Sequence, residues 1–200
     1  MNMRAGLYVL SALLLAWMAT GCTTSSSAVT FYGLEAVAGD PSGSITLFQH
    51  DPAIGIGRVT LPAYLDRPQI VIRPQPNRLR VDEYHRWAGA LEDEIQRVLI
   101  ENLMTLTGVR RIARLPWPGD FQPDVTLRMD IYRFEAGSGN TVRLLAAVTL
   151  VRRDDRQPPE TWTVHLEEAA AGGTYADLTA AQSRLLAALS RDIAERLSRP

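Results

Sequence analysis

The chain has 200 residues and a formal net charge of −1, and 46% of it is hydrophobic. One domain with a sizeable core accounts for that length, and the lack of a basic excess argues against a nucleic-acid partner. Its 21 positively charged residues are all arginine, which reads as a compositional bias rather than a device for gripping phosphates.

Residues 1–21 have the make-up of a signal peptide. Arg4 supplies a positive n-region, and LYVLSALLLAWMA is an apolar h-region too short to span a bilayer comfortably. Cys22 is the only cysteine. An exported chain therefore has no internal disulfide, and the residue is a free thiol, an intermolecular bridge or a modification site. The small residues Ala19, Thr20 and Gly21 before it resemble a bacterial lipobox, with Ala19 where many lipoboxes carry Leu. That resemblance implies a diacylglyceryl group on the Cys22 thiol and, after cleavage, a further acyl chain such as palmitate on the new amino terminus. Each buried methylene contributes about 0.8 kcal/mol and a single chain binds only marginally, so two or three chains make a lasting anchor. Thr23, rather than Asp, follows the cysteine. By the enterobacterial sorting rule this implies the inner leaflet of the outer membrane, facing the periplasm. Residues 22–29 are the lipidated cysteine and its tether, and residues 30–200 a single domain. Fully extended, TTSSSAVT reaches at most about 28 Å, which makes the domain a fixed component close to its membrane.

FYGL, residues 31–34, reads as a short strand, and AVAGDPSGS after it as a turn-rich loop. Further strands are expected at 45–48, at IGIGRVTL (54–61), after Pro68 and at 78–81. The helix that follows carries Trp87, Leu91, Ile95, Val98, Leu99, Leu103 and Leu106 on one stripe, with Gly108 as its stop. His85 stands at its entrance. Val125, Leu127, Met129 and Ile131 alternate with polar residues, GSGN (137–140) supplies a turn, and 141–151 and TWTVHLEE complete an antiparallel meander. A second helix runs from about Tyr175 to Leu197, its stripe including Leu178, Leu185, Leu189 and Ile193. The fold class is α+β: a mixed, largely antiparallel sheet with two main amphipathic helices packed on it.

No catalytic constellation can be assembled. There is no GxSxG elbow and no HExxH helix, and His50, His85 and His165 lack paired ligand spacing. Gly55 and Gly57 are not followed by the helix that a phosphate site requires. The chain is expected to be no enzyme and to need no cofactor or metal beyond the covalent lipid on Cys22. The segment LPAYLDRPQIVIR, residues 61–73, remains. Pro62 ends a strand, Pro68 extends the chain, and Asp66 and Arg67 point apart, so each needs a partner of its own. Either Arg67 meets a helix carboxylate while Asp66 caps a turn, or Tyr64 and this proline-rich edge form a contact surface.

FYGL, LPAYLDRPQIVIR, RWAGALEDEIQRVLIENL (86–103) and LSRDIAERL (189–197) occur in the order found in PqiC-like lipoproteins. The chain resembles these auxiliary lipoproteins of ABC-type and MCE-type lipid transport systems over most of its mature length. The positions matching the family motifs are Pro62, Tyr64, Asp66, Arg67, Pro68 and Gln69 in the first, and Arg86 and Trp87 in the second. The resemblance implies a non-enzymatic outer-membrane component that docks the periplasmic conduit, an MCE-domain protein, and supports membrane integrity. It also suggests a homo-oligomeric ring. Trp87 suits core packing better than ligand contact. Two alternatives stay open: a lipid-carrying module with its own acyl-chain pocket, and a purely structural envelope lipoprotein.

Overall fold

The computed structural model describes residues 28–37, 52–153 and 158–198. The signal segment, Cys22, most of the tether, His50 and the strand expected at 45–48 lie outside the described residues. Among the described residues eight strands form one sheet: β1 (Thr30–Tyr32), β2 (Ile54–Thr60), β3 (Gln69–Gln75), β4 (Arg78–Trp87), β5 (Ile112–Arg114), β6 (Val125–Ala136), β7 (Thr141–Arg152) and β8 (Glu160–Ala169). Helices α1 (Leu91–Thr107) and α2 (Tyr175–Leu197) pack on it and on each other. The fold is α+β with a mixed sheet, and its long ladders, β6–β7, β7–β8 and β3–β4, are antiparallel.

Strand β6 is the spine. One edge pairs with β7 along its whole length. The other edge is divided, with β2 lying parallel to Val125–Asp130 and β3 touching it at Ala136. Beyond β2 lies β5, and beyond β3 lie β4 and then β1. In the first half of β6 the odd-numbered residues Val125, Leu127, Met129 and Ile131 are buried and Arg128 and Asp130 exposed, the expected period of two. A register shift against β7 between Ile131 and Arg133 inserts a residue, so Phe134 and Ala136 take over the buried side. A bulge of this kind re-aims every later side chain, and it turns Glu135 towards the face without helices.

Helix α2 opens on a capping box. The Thr174 hydroxyl accepts from the Asp177 N–H at 3.1 Å, and the Asp177 carboxylate accepts from the Thr174 N–H at 3.2 Å. Helix α1 has no side-chain cap; Glu92, Asp93 and Glu94 in its first turn complement the dipole instead. It ends at Gly108, whose φ of 72° is left-handed and whose N–H reaches Met104 O at 3.0 Å. The expected stripe of α1 is buried from Leu91 to Leu103. Its start differs from the sequence reading. Trp87 and His85 belong to β4, because residues 85–87 pair in parallel with Thr30–Tyr32 and Trp87 N–H donates to Pro68 O at 2.7 Å. Strand β5 has no alternation long enough to announce it; its three residues are held by β2.

Candidate docking site

Three of the four segments that carry the family resemblance converge, while 189–197 lies at the end of α2 against Glu160 and Trp162. Strand β4 lies between β1 and β3, so Phe31 faces Arg86, Tyr32 faces Trp87, and Gln69 faces Arg86 from the other side. Ala88 N–H closes onto Tyr32 O at 2.8 Å. Glu94 of α1 fixes the end of FYGL: its carboxylate accepts the Leu34 N–H at 3.1 Å and Arg97 at 2.9 Å, while Arg97 also donates to Leu34 O. Three stretches far apart in sequence thus form one corner of the molecule.

Residues 62–68 make a tight turn leading into β3. Pro62 O accepts N–H groups from Leu65 at 2.8 Å and Asp66 at 3.3 Å, and Leu65 is buried. Tyr64 lies inward and is no free contact residue. Its hydroxyl donates to Glu135 Oε2 at 2.9 Å and reaches Tyr132 O at 3.2 Å, and the Arg73 guanidinium sits 5.4 Å from its ring centre. Burial, then the Glu135 carboxylate, push the Tyr64 pKa up to about 12. Glu135 is only 2% exposed and is held by Arg73 at 2.7 Å, Arg133 at 3.2 Å and the Phe134 N–H at 3.0 Å. That bond to Glu135 raises Arg73 above the usual guanidinium range. A buried carboxylate met by this many donors is fully satisfied.

Gln69 and Arg86 are also committed, both to the Glu83 carboxylate, at 3.0 and 3.2 Å. Trp87 is buried in the core. Asp66, Arg67 and Pro68 remain exposed. Among the described residues neither Asp66 nor Arg67 has a side-chain hydrogen bond or ion pair. The expected internal partners are therefore not found: backbone bonds to Pro62 close the turn without the Asp66 side chain, and Arg67 stays in solvent. Burial, Asp93 and then Asp66 raise the pKa of Glu92 on α1, against Arg58 and Arg114. The Asp66 charge is thus felt at the first turn of that helix.

Sequence reasoning missed two clusters. The Glu135 network joins a turn, β3 and β6, and no local pattern links them. The other joins β1, β4 and α2: Tyr32 hydroxyl lies 2.8 Å from His85 Nδ1, the His85 ring stacks on Tyr175 at 4.0 Å, and Tyr175 hydroxyl donates to Asp82 at 2.9 Å. Burial, then Asp82, raise the pKa of Tyr175. Beside it runs a groove of about 700 Å³ lined by Tyr32, Val37, Ala180, Ser183, Ala187 and Arg191. Among the described residues no His, Cys, Asp or Glu cluster is arranged to hold a metal ion, and no helix is long and apolar enough to cross a membrane.

Two solved structures share this fold. A crystal structure of an uncharacterized protein matches with a TM-score of 0.68 and 17% identity, covering 85% of this chain and 99% of that one. Protein XCC0632 from Xanthomonas campestris matches with a TM-score of 0.64 and 20% identity, over 85% and 93%. At these identities the likeness speaks for the fold alone. A search of the curated proteins finds no match. The model of one family matches residues 32–194, from the FYGL strand to the last turns of α2, and by that match the chain belongs to the ABC-type transport auxiliary lipoprotein components.

Proposed function

We propose that this transport auxiliary lipoprotein works without catalysis, as a docking element. Lipidated Cys22 holds it on the inner leaflet of the outer membrane. The Asp66–Arg67–Pro68 turn receives an MCE-domain protein, the end of a periplasmic lipid conduit, and several copies arranged as a ring surround that end. The observation that carries the reading is the turn itself. Tyr64 and Leu65 anchor it from inside, Gln69 ties its exit to Glu83, and Asp66 and Arg67 are left exposed without internal partners among the described residues. A rigid turn presenting two opposite charges pays little ordering entropy on association, and charges at an interface favour partner choice and encounter rate.

The test is in-cell photocrosslinking with a probe at Ala63, an exposed residue of the same turn, in the lipidated protein, read by mass spectrometry. Recovery of an MCE-domain protein is expected, with loss on the reversal Asp66→Arg plus Arg67→Asp and no change in Tm. Crosslinks confined to the chain or its own copies would assign the turn to fold or ring. The groove beside α2 favours a second reading, in which the domain itself carries an acyl chain; phospholipid bound to the purified monomer would support it.

A further inference from the structure

Strand β1 follows the tether directly, and its side chains divide between two faces. Tyr32 points into the helix layer, where it meets His85 and Tyr175. Phe31 points the other way and is 62% exposed. Next to it, Val29 is 41% exposed and Tyr84, two residues before Arg86 on β4, is 51% exposed. Phe31 and Arg86 face each other in register. The result is an aromatic and aliphatic patch beside a guanidinium, placed where the chain enters the domain.

We propose that this patch of Val29, Phe31 and Tyr84 rests on the lipid surface and so fixes the orientation of the domain on its membrane. The inference depends on the anchor at Cys22. Seven Cα–Cα steps separate Cys22 from Val29, a reach of at most about 25 Å, so the patch is the part of the domain kept nearest the bilayer. Linking two contacts over a short span gives the second an effective concentration in the millimolar range, roughly, and even a weak patch is then occupied. Phe and Tyr suit the interface, where apolar bodies enter the acyl boundary and polar tips stay among headgroups. Arg86 can meet a headgroup phosphate while it keeps Glu83. A second protein chain is a poorer occupant. As an edge, β1 offers only three residues to another strand, too short a ladder to hold a partner.

Cys22 is the sole cysteine and is consumed by acylation, so Phe31→Cys, Tyr84→Cys and the control Tyr132→Cys each give a unique thiol for a nitroxide label. Mature lipidated protein is reconstituted in vesicles of phosphatidylethanolamine and phosphatidylglycerol. Accessibility to a water-soluble nickel chelate and to oxygen is then read at each label. The expected result is loss of nickel accessibility and gain of oxygen accessibility at 31 and 84, with 132 unchanged. Equal nickel accessibility at all three positions overturns the proposal. Protection at 31 and 84 that persists without vesicles, in the unacylated Cys22→Ser chain carrying the same labels, also overturns it and assigns the patch to contact between copies. Intact mass of the mature chain separates the two readings: without acyl mass the anchor itself fails, and the seating with it.

Discussion

Replacing Arg73 by Met tests how much of the β3–β6 junction hangs on Glu135. The carboxylate is buried and accepts from Arg73, Arg133, Tyr64 and the Phe134 N–H. Methionine keeps the aliphatic stem but removes the shortest charged contact and the cation over the Tyr64 ring. Removing one partner of a buried pair costs about 3–5 kcal/mol. The remaining donors, and the partial exposure of Arg73 itself, place the expected loss at the low end, about 3 kcal/mol. For a domain of this size each kcal/mol moves Tm by about 2–4 °C, so a drop of roughly 6–12 °C is expected in near-UV circular dichroism melts. Tyr64→Phe deletes one neutral donor to the same acceptor and should cost about 1–2 kcal/mol. The double variant should lose measurably less than the sum, because both changes act on one acceptor. Strict additivity, or an Arg73→Met loss under about 0.5 kcal/mol as for a surface pair, would refute the view of Glu135 as the organiser of this junction.

Tyr64 also gives a pH signature. Its folded pKa is raised from 10.0 to about 12, so its contribution to stability is complete below pH 10 and is lost as pH rises towards 12. Wild type should therefore destabilise more steeply across that window than Tyr64→Phe, and an identical slope would contradict the burial of its hydroxyl. Gly55→Ala should cost about 1–3 kcal/mol, since a Cβ there would lie 2.6 Å from the Trp117 ring and 2.9 Å from Pro123 Cβ; pairing it with Trp117→Leu should recover part of the loss in urea titrations. Arg196 lies 4.2 Å from the ring centre of Trp162, whose indole N–H donates to Asp192 at 2.7 Å, and Arg196 pairs with Glu160 at 2.5 Å. Arg196→Gln should cost about 1–2 kcal/mol and change Trp162 fluorescence. A change in neither would show that the end of α2 is not pinned to β8.

The elements with a long period were legible in the sequence. The meander of β6, β7 and β8 and both apolar helix stripes follow from spacing alone, because one buried face imposes one repeat. The start of α1 was not, since Trp87 continues the helical stripe numerically while its backbone is claimed by β1 and by Pro68. Strand β5 was invisible because three residues cannot show a period. At the candidate site the sequence located the turn between Pro62 and Pro68 but not its inside and outside. Which of Tyr64, Asp66 and Arg67 turned inward depended on Glu135, and Glu135 faces them only because the β6 bulge reverses the alternation there. That bulge is a register event between strands, which leaves no mark in the sequence of either one.

The divided edge of β6 also bears on the order in which the molecule can assemble. A chain is made from its N-terminus, so β1, β2, β3 and β4 all exist before β6 does. Until then β3 and β4 can close a hairpin with β1 beside it, and β2 has only the short β5 to lean on. Among the described residues the two groups share no ladder with each other, and within the sheet they are joined through β6. The meander that follows needs no such wait, because β6, β7 and β8 are neighbours in sequence. The half of the domain next to the tether is therefore made first, yet its two groups of strands share a sheet only once β6 exists.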